Sequence, residues 1–107
     1  MKSGRNTQMY KKIIWSPLSK KDFISILDYL QINWNDKVVQ SFIETTDRSI
    51  ELILRNPKQF PLAKKNKKVR RCLLTKHNSL YFLENLESID VLRLFDNRQD
   101  PRKLKFK

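Results

Sequence analysis

Apolar residues recur every three or four positions between Phe23 and Leu54, and gather into short runs after Val69. Phe23, Ile26, Leu27, Leu30 and Trp34 share one stripe, with Lys20, Lys21, Asp22, Ser25 and Asp28 elsewhere on the circumference, which predicts an amphipathic helix over residues 18–34. Ser16 suits its N-cap and Pro17 its first turn. After a break at Asn33 to Asp36, where Asn35 or Asp36 can cap again, Val39, Phe42, Thr46, Ile50, Ile53 and Leu54 trace a second stripe over residues 37–56. Pro57 ends it, since a proline inside a helix costs about 3 kcal/mol. The short break makes the two helices an antiparallel hairpin.

Lys12 to Trp15 reads as an edge or outer strand, and residues 69–75, 80–84 and 89–96 as three further strands joined by hairpin-length connections. Helices followed by a run of strands give an α+β fold: an N-terminal strand and a helical hairpin laid on one face of a small antiparallel sheet, in the order β-α-α-β-β-β. The other face is then left for a partner. Trp15, Trp34, Phe42 and Phe82 are expected in the core, with Cys72 as a small apolar filler.

The final strand carries the first sign of chemistry. Arg93 lies among Val91, Leu92, Leu94 and Phe95 and needs an anionic partner or a route to solvent. Asp96, Asn97 and Asp100-Pro101 then form a turn from which Arg98 projects, either to hold a phosphate or carboxylate or simply to pair with Asp96 or Asp100. Upstream, Lys64 to Arg71 holds six cations in eight residues. Period 2 sends Arg70 and Arg71 to opposite sheet faces, so one should stand clear of the helices, unless Glu84 or Asp90 pairs with it across the strands. Tyr81, on the middle strand, either packs or presents its hydroxyl. Lys76 and His77 sit in the turn before that strand, and His77 is the sole side chain that titrates near neutrality unperturbed.

Charge sharpens this picture. The net charge of the 107 residues is +12, yet residues 22–51 are acidic overall, while residues 64–107 hold thirteen basic and five acidic groups. A polyanionic partner should therefore meet the second half of the chain. Length fits a single domain over residues 10–107, behind a polar leader at residues 1–9 that should be disordered. A lone cysteine excludes an internal disulfide, and no apolar run approaches the roughly 18 residues of a membrane span, which points to the cytoplasm and away from membranes. Without metal-ligand spacing of Cys and His, or a glycine-rich phosphate loop, no metal or other cofactor is expected.

Several of these stretches together resemble the RelE/ParE superfamily of toxins from bacterial type II toxin–antitoxin systems, also called plasmid stabilisation proteins. The carriers are Ile14-Trp15-Ser16-Pro17, Asp28-Tyr29-Leu30 with Trp34, Asn56-Pro57, Val69-Arg70-Arg71, Leu80-Tyr81-Phe82, and the run from Val91 to Pro101. The resemblance implies growth inhibition, a cognate acidic antitoxin, and a helical hairpin before an antiparallel sheet, with the oligomeric state left open. Two activities are implied. A RelE-like toxin cleaves messenger RNA in the ribosome, and its catalytic residues would fall on Arg70, Arg71, Tyr81 and Arg98. Here Ser79 replaces the middle-strand arginine, and only Phe106 stands where a late tyrosine or histidine is usual. A ParE-like toxin instead binds and inhibits DNA gyrase, and Arg98 to Pro101 matches its Arg-x-Asp-Pro-like ending. The reading leans to the second, with Arg70, Arg71, Lys76, His77, Arg93 and Arg98 as target-binding residues. A plain nucleic-acid-binding domain is the third class, and salt-sensitive binding without growth arrest would mark it.

Overall fold

A computed structural model describes residues 11–64 and 66–106. The leader expected over residues 1–9 lies outside the described residues, as do Lys65 and Lys107. In chain order the elements are β1 (Lys12–Trp15), α1 (Pro17–Asn33), α2 (Asp36–Arg55), β2 (Val69–Leu73), β3 (Asn78–Glu84) and β4 (Ser88–Asp96), with 3-10 turns at Pro57–Gln59 and Pro101–Lys103. The expected α+β order is present.

Local chemistry explains the helix ends. Ser16 caps α1 by accepting the Ser19 N–H at 3.0 Å, with Pro17 in the first turn, and Asn35 caps α2 by accepting the Val38 N–H at 3.0 Å. Only Trp34 and Asn35 separate the helices, so α2 folds straight back along α1. Their apolar stripes meet one face of the sheet, where Phe42, Ile53, Cys72, Leu80, Phe82, Ile89, Val91 and Leu94 form the main core. Trp15, Phe23 and Phe42 run through it ring to ring, at centroid separations of 5.4 and 6.0 Å.

The sheet order is β1-β4-β3-β2. β2, β3 and β4 are antiparallel as expected, but β1 runs parallel to β4, from Lys12 against Ser88 to Trp15 against Val91, so the sheet is mixed. The reason is connectivity. Short turns force neighbouring strands antiparallel, whereas the whole helical hairpin intervenes after β1 and leaves its direction free. Leu92 is an extra residue in β4, since Phe82 pairs with Val91 while Tyr81 pairs with Arg93. This bulge lets Val91 and Leu94 both reach the helix side, and the Ser16 hydroxyl satisfies the Leu92 carbonyl at 2.9 Å.

Two expectations are corrected. Trp34 is 64% exposed rather than core, because the chain leaves helical geometry at this C-cap (φ −133°, ψ −116°) and swings the indole off the α1 stripe. The second sheet face is not left open at its centre. Ala63, Val69, Tyr81, Phe95 and Leu104 make a small second core there, and Phe106 packs on Tyr81 at 5.5 Å.

Candidate functional site

The segments that cover the second face leave two recesses beside them. One is a cleft of about 400 Å³ between residues 61–64, β2, β3 and the turn after β4; Lys64, Arg71, Tyr81, Asn97 and Gln99 line it. The other is a broader groove of about 800 Å³ between α1 and the end of β4, lined among others by Tyr29, Trp34, His77, Arg93, Arg98 and Lys103. Both are edged by Phe95 and Gln99.

Strand alternation sorts the two neighbouring arginines. Arg71 stands opposite Tyr81 on the second face and enters the cleft. Its Nε donates to Ser79 Oγ at 2.9 Å. Arg70 points to the helix side, where its Nη1 donates to the Phe60 carbonyl at 2.7 Å and fastens the segment after the Pro57–Gln59 turn. Glu84 pairs with neither arginine. Lys11 (2.9 Å) and Lys58 (3.0 Å) hold its carboxylate from two sides and keep its pKa below the usual carboxylate range. Asp90 accepts from Asn85 and Ser88.

Arg93 has the anionic partner that its setting demanded. Its guanidinium grips Asp22 of α1 through Nε (2.8 Å) and Nη2 (3.1 Å), with both side chains under 20% exposed, and donates to the Lys105 carbonyl at 2.6 Å. Asp22 also accepts the Leu94 N–H at 3.0 Å, on the edge of β4 that β1 no longer covers. The pairing raises the arginine's pKa. One ion pair thus joins helix, sheet and C-terminal segment. Asp22 was not anticipated, because 71 residues separate it from Arg93.

Arg98 reaches the solvent as expected, but not empty-handed. Asp96 Oδ1 accepts its backbone N–H at 2.9 Å and its Nε at 3.0 Å, and Oδ2 accepts Nη2 at 2.8 Å. The arginine holds the Asp96 carboxyl below its ordinary pKa. Arg102 repeats the arrangement with Asp100. In the turn before β3, Thr75 Oγ1 accepts the N–H groups of His77 and Asn78. His77 lines the groove, whereas Lys76 is exposed and lines neither recess. The candidate residues are therefore divided: Arg71 and Tyr81 share the cleft, His77, Arg93 and Arg98 share the groove, and Arg70 and Lys76 belong to neither.

Among the described residues, no group of His, Cys, Asp or Glu could hold a metal ion, and no helix is long and apolar enough to cross a membrane. Burial pushes the Cys72 thiol up, in keeping with a packed side chain rather than a nucleophile. Chemically, the cleft offers fixed positive charge beside a phenol. The groove offers exposed aromatic rings beside paired cations.

Residues 13–101 match the family profile described as the ParE toxin of the type II toxin–antitoxin system, parDE. No curated protein sequence matches significantly. The fold is similar to a structure titled as the chromosomal ParDE toxin–antitoxin system from P. aeruginosa, with a TM-score of 0.70 at 14% identity over 82% of this chain and 97% of the other. It is also similar to a YoeB/ParE toxin from Agrobacterium tumefaciens (TM-score 0.58, 16% identity, 80% of this chain and 98% of the other). The YoeB dimer from Staphylococcus aureus gives a TM-score of 0.58 at 16% identity, over 84% of this chain and 99% of the other.

Proposed function

Because the chain belongs to the ParE toxin family of type II toxin–antitoxin systems, we propose that it arrests growth in the cytoplasm by binding and inhibiting DNA gyrase, without chemistry of its own. A cognate antitoxin comes with the family. We infer that this antitoxin is acidic and shields the basic second half of the chain, where residues 64–107 carry a net charge of +8. The observation that carries the binding reading is the separation of Arg71 from His77. Attack by a ribose 2′-hydroxyl requires a proton to be taken up and another to be given, and a guanidinium stabilises charge far better than it shuttles protons. The one side chain whose unperturbed pKa suits that task lies in the groove, outside the Arg71 cleft.

The second reading, a ribosome-dependent mRNA endonuclease, draws its support from Lys64, Arg71 and Tyr81 sharing one cleft. Purified protein should inhibit gyrase supercoiling and leave mRNA intact in a translating extract. Arg98→Ala should weaken inhibition with Tm nearly unchanged, since it removes an exposed cation whose pair with Asp96 contributes little to stability, and Arg98→Lys should restore inhibition only in part. Cut mRNA with unimpaired supercoiling would establish the endonuclease instead.

A further inference from the structure

Ser79 lies wholly out of solvent on β3, where its hydroxyl joins two side chains from different elements. It accepts from Arg71 Nε at 2.9 Å and donates to Asn97 Oδ1 at 2.8 Å. The polarity of this chain is fixed by proton count. A guanidinium has no acceptor, so the serine proton must go to Asn97, and the opposite carboxamide orientation would leave it with no partner. Asn97 is anchored in turn, as its backbone N–H donates to the His77 carbonyl at 2.7 Å. The relay spends the inner edge of Arg71. Its two terminal nitrogens meet no acceptor among the described residues, and the side chain lines the cleft with Lys64 and Gln99.

We propose that Ser79, backed by Asn97, is the positioning residue that aims the terminal nitrogens of Arg71 into the cleft, and that this fork takes an oxyanion of the target. The proposal rests on the toxin reading above, in that the cleft must meet the target. A free arginine samples many rotamers and loses that freedom when it binds, whereas one held at Nε arrives ordered. The benefit of the hydroxyl is therefore realised only through Arg71, and this separates positioning from general support of the fold.

Two measurements test it. In heteronuclear NMR spectra the Arg71 Nε–H signal, assigned by its loss in Arg71→Lys, should exchange with water more slowly in the parent protein than that of Arg55, an exposed arginine that pairs with Glu51 through Nη2, and roughly tenfold faster in Ser79→Ala. In a growth-arrest titration, Ser79→Ala should weaken the parent roughly tenfold, Ser79→Thr should restore arrest, and Ser79→Ala should have no further effect in an Arg71→Ala background. Additive losses in the double variant overturn the proposal, as does full arrest by a folded Ser79→Ala. So does a parent Nε–H that exchanges as fast as that of Arg55, and this measurement decides the matter even where Ser79→Ala fails to fold. A parent that leaves growth untouched sinks the toxin reading alone, and the exchange rates still judge the relay.

Discussion

The two faces of the sheet are covered in different ways. On one, two capped helices lay down continuous apolar stripes, and the layer between helices and sheet includes Ile53 of α2 with Leu80, Phe82, Ile89 and Val91 of the strands, all fully buried. On the other, two irregular segments contribute little more than Ala63, Leu104 and Phe106. Helices present a residue to the core at every turn, whereas an extended segment tiles a sheet sparsely and leaves gaps between its contacts. Those gaps are the cleft and part of the groove's rim. Stability is thus concentrated on one face and chemistry on the other.

Truncating one buried residue on each face should separate the two most strongly in denaturant unfolding. Phe82→Ala should cost about 3 to 5 kcal/mol, while Leu104→Ala, at a site free to collapse, should cost about 2 kcal/mol. Equal losses would mean that the second face is a core of the same kind. A smaller effect is expected where the two faces are tied together. Asp22→Ala should cost about 2 kcal/mol, because it strands both the Arg93 guanidinium and the Leu94 N–H. A loss under about 0.5 kcal/mol would show that water takes over both roles.

The smallest effect lies in acid. Glu84 and Asp96 both have folded pKa values lowered by their basic partners. Such groups contribute stability that is complete above the unfolded carboxylate values and is lost as the pH falls through the lowered folded ones. Thermal stability should therefore be flat near neutrality and decline below about pH 4, and Glu84→Gln should blunt the decline. A decline that starts near pH 6 would show that these two carboxylates are not its source.

The helix-covered face was almost wholly legible in the sequence. The stripes, Ser16-Pro17 and Asn35 act over three or four residues, and each helix begins and ends one position ahead of its expected bounds. What escaped is non-local. Leu104 and Phe106 are isolated in a basic tail and carry no periodic signal, so nothing announced that they would cover Tyr81. The direction of β1 is set by docking rather than by any turn. Ser79 became the partner of Arg71, and Asn97 that of Ser79, only once register and the Leu92 bulge had fixed which side chains stand together. Arg98 was expected on an exposed turn, with a pair to Asp96 or Asp100 as one of two alternatives, and that pair forms because Asp96 lies only two residues away. The same local rule places Arg102 on Asp100.

The parallel pairing of β1 with β4 sets the order in which the molecule is assembled. Lys12 meets Ser88, so the first strand made must wait for the last before it can join the sheet, and closing so long a loop is slow. α1 and α2 can pair much earlier, during synthesis. The cleft completes still later, since Pro101 and Leu104 form its far wall. A ribosome-bound chain that stops short of β4 therefore has a helical hairpin but neither a finished sheet nor a binding surface, and the cell that makes this protein meets its harmful form only after the segment from β4 to Leu104 has left the ribosome.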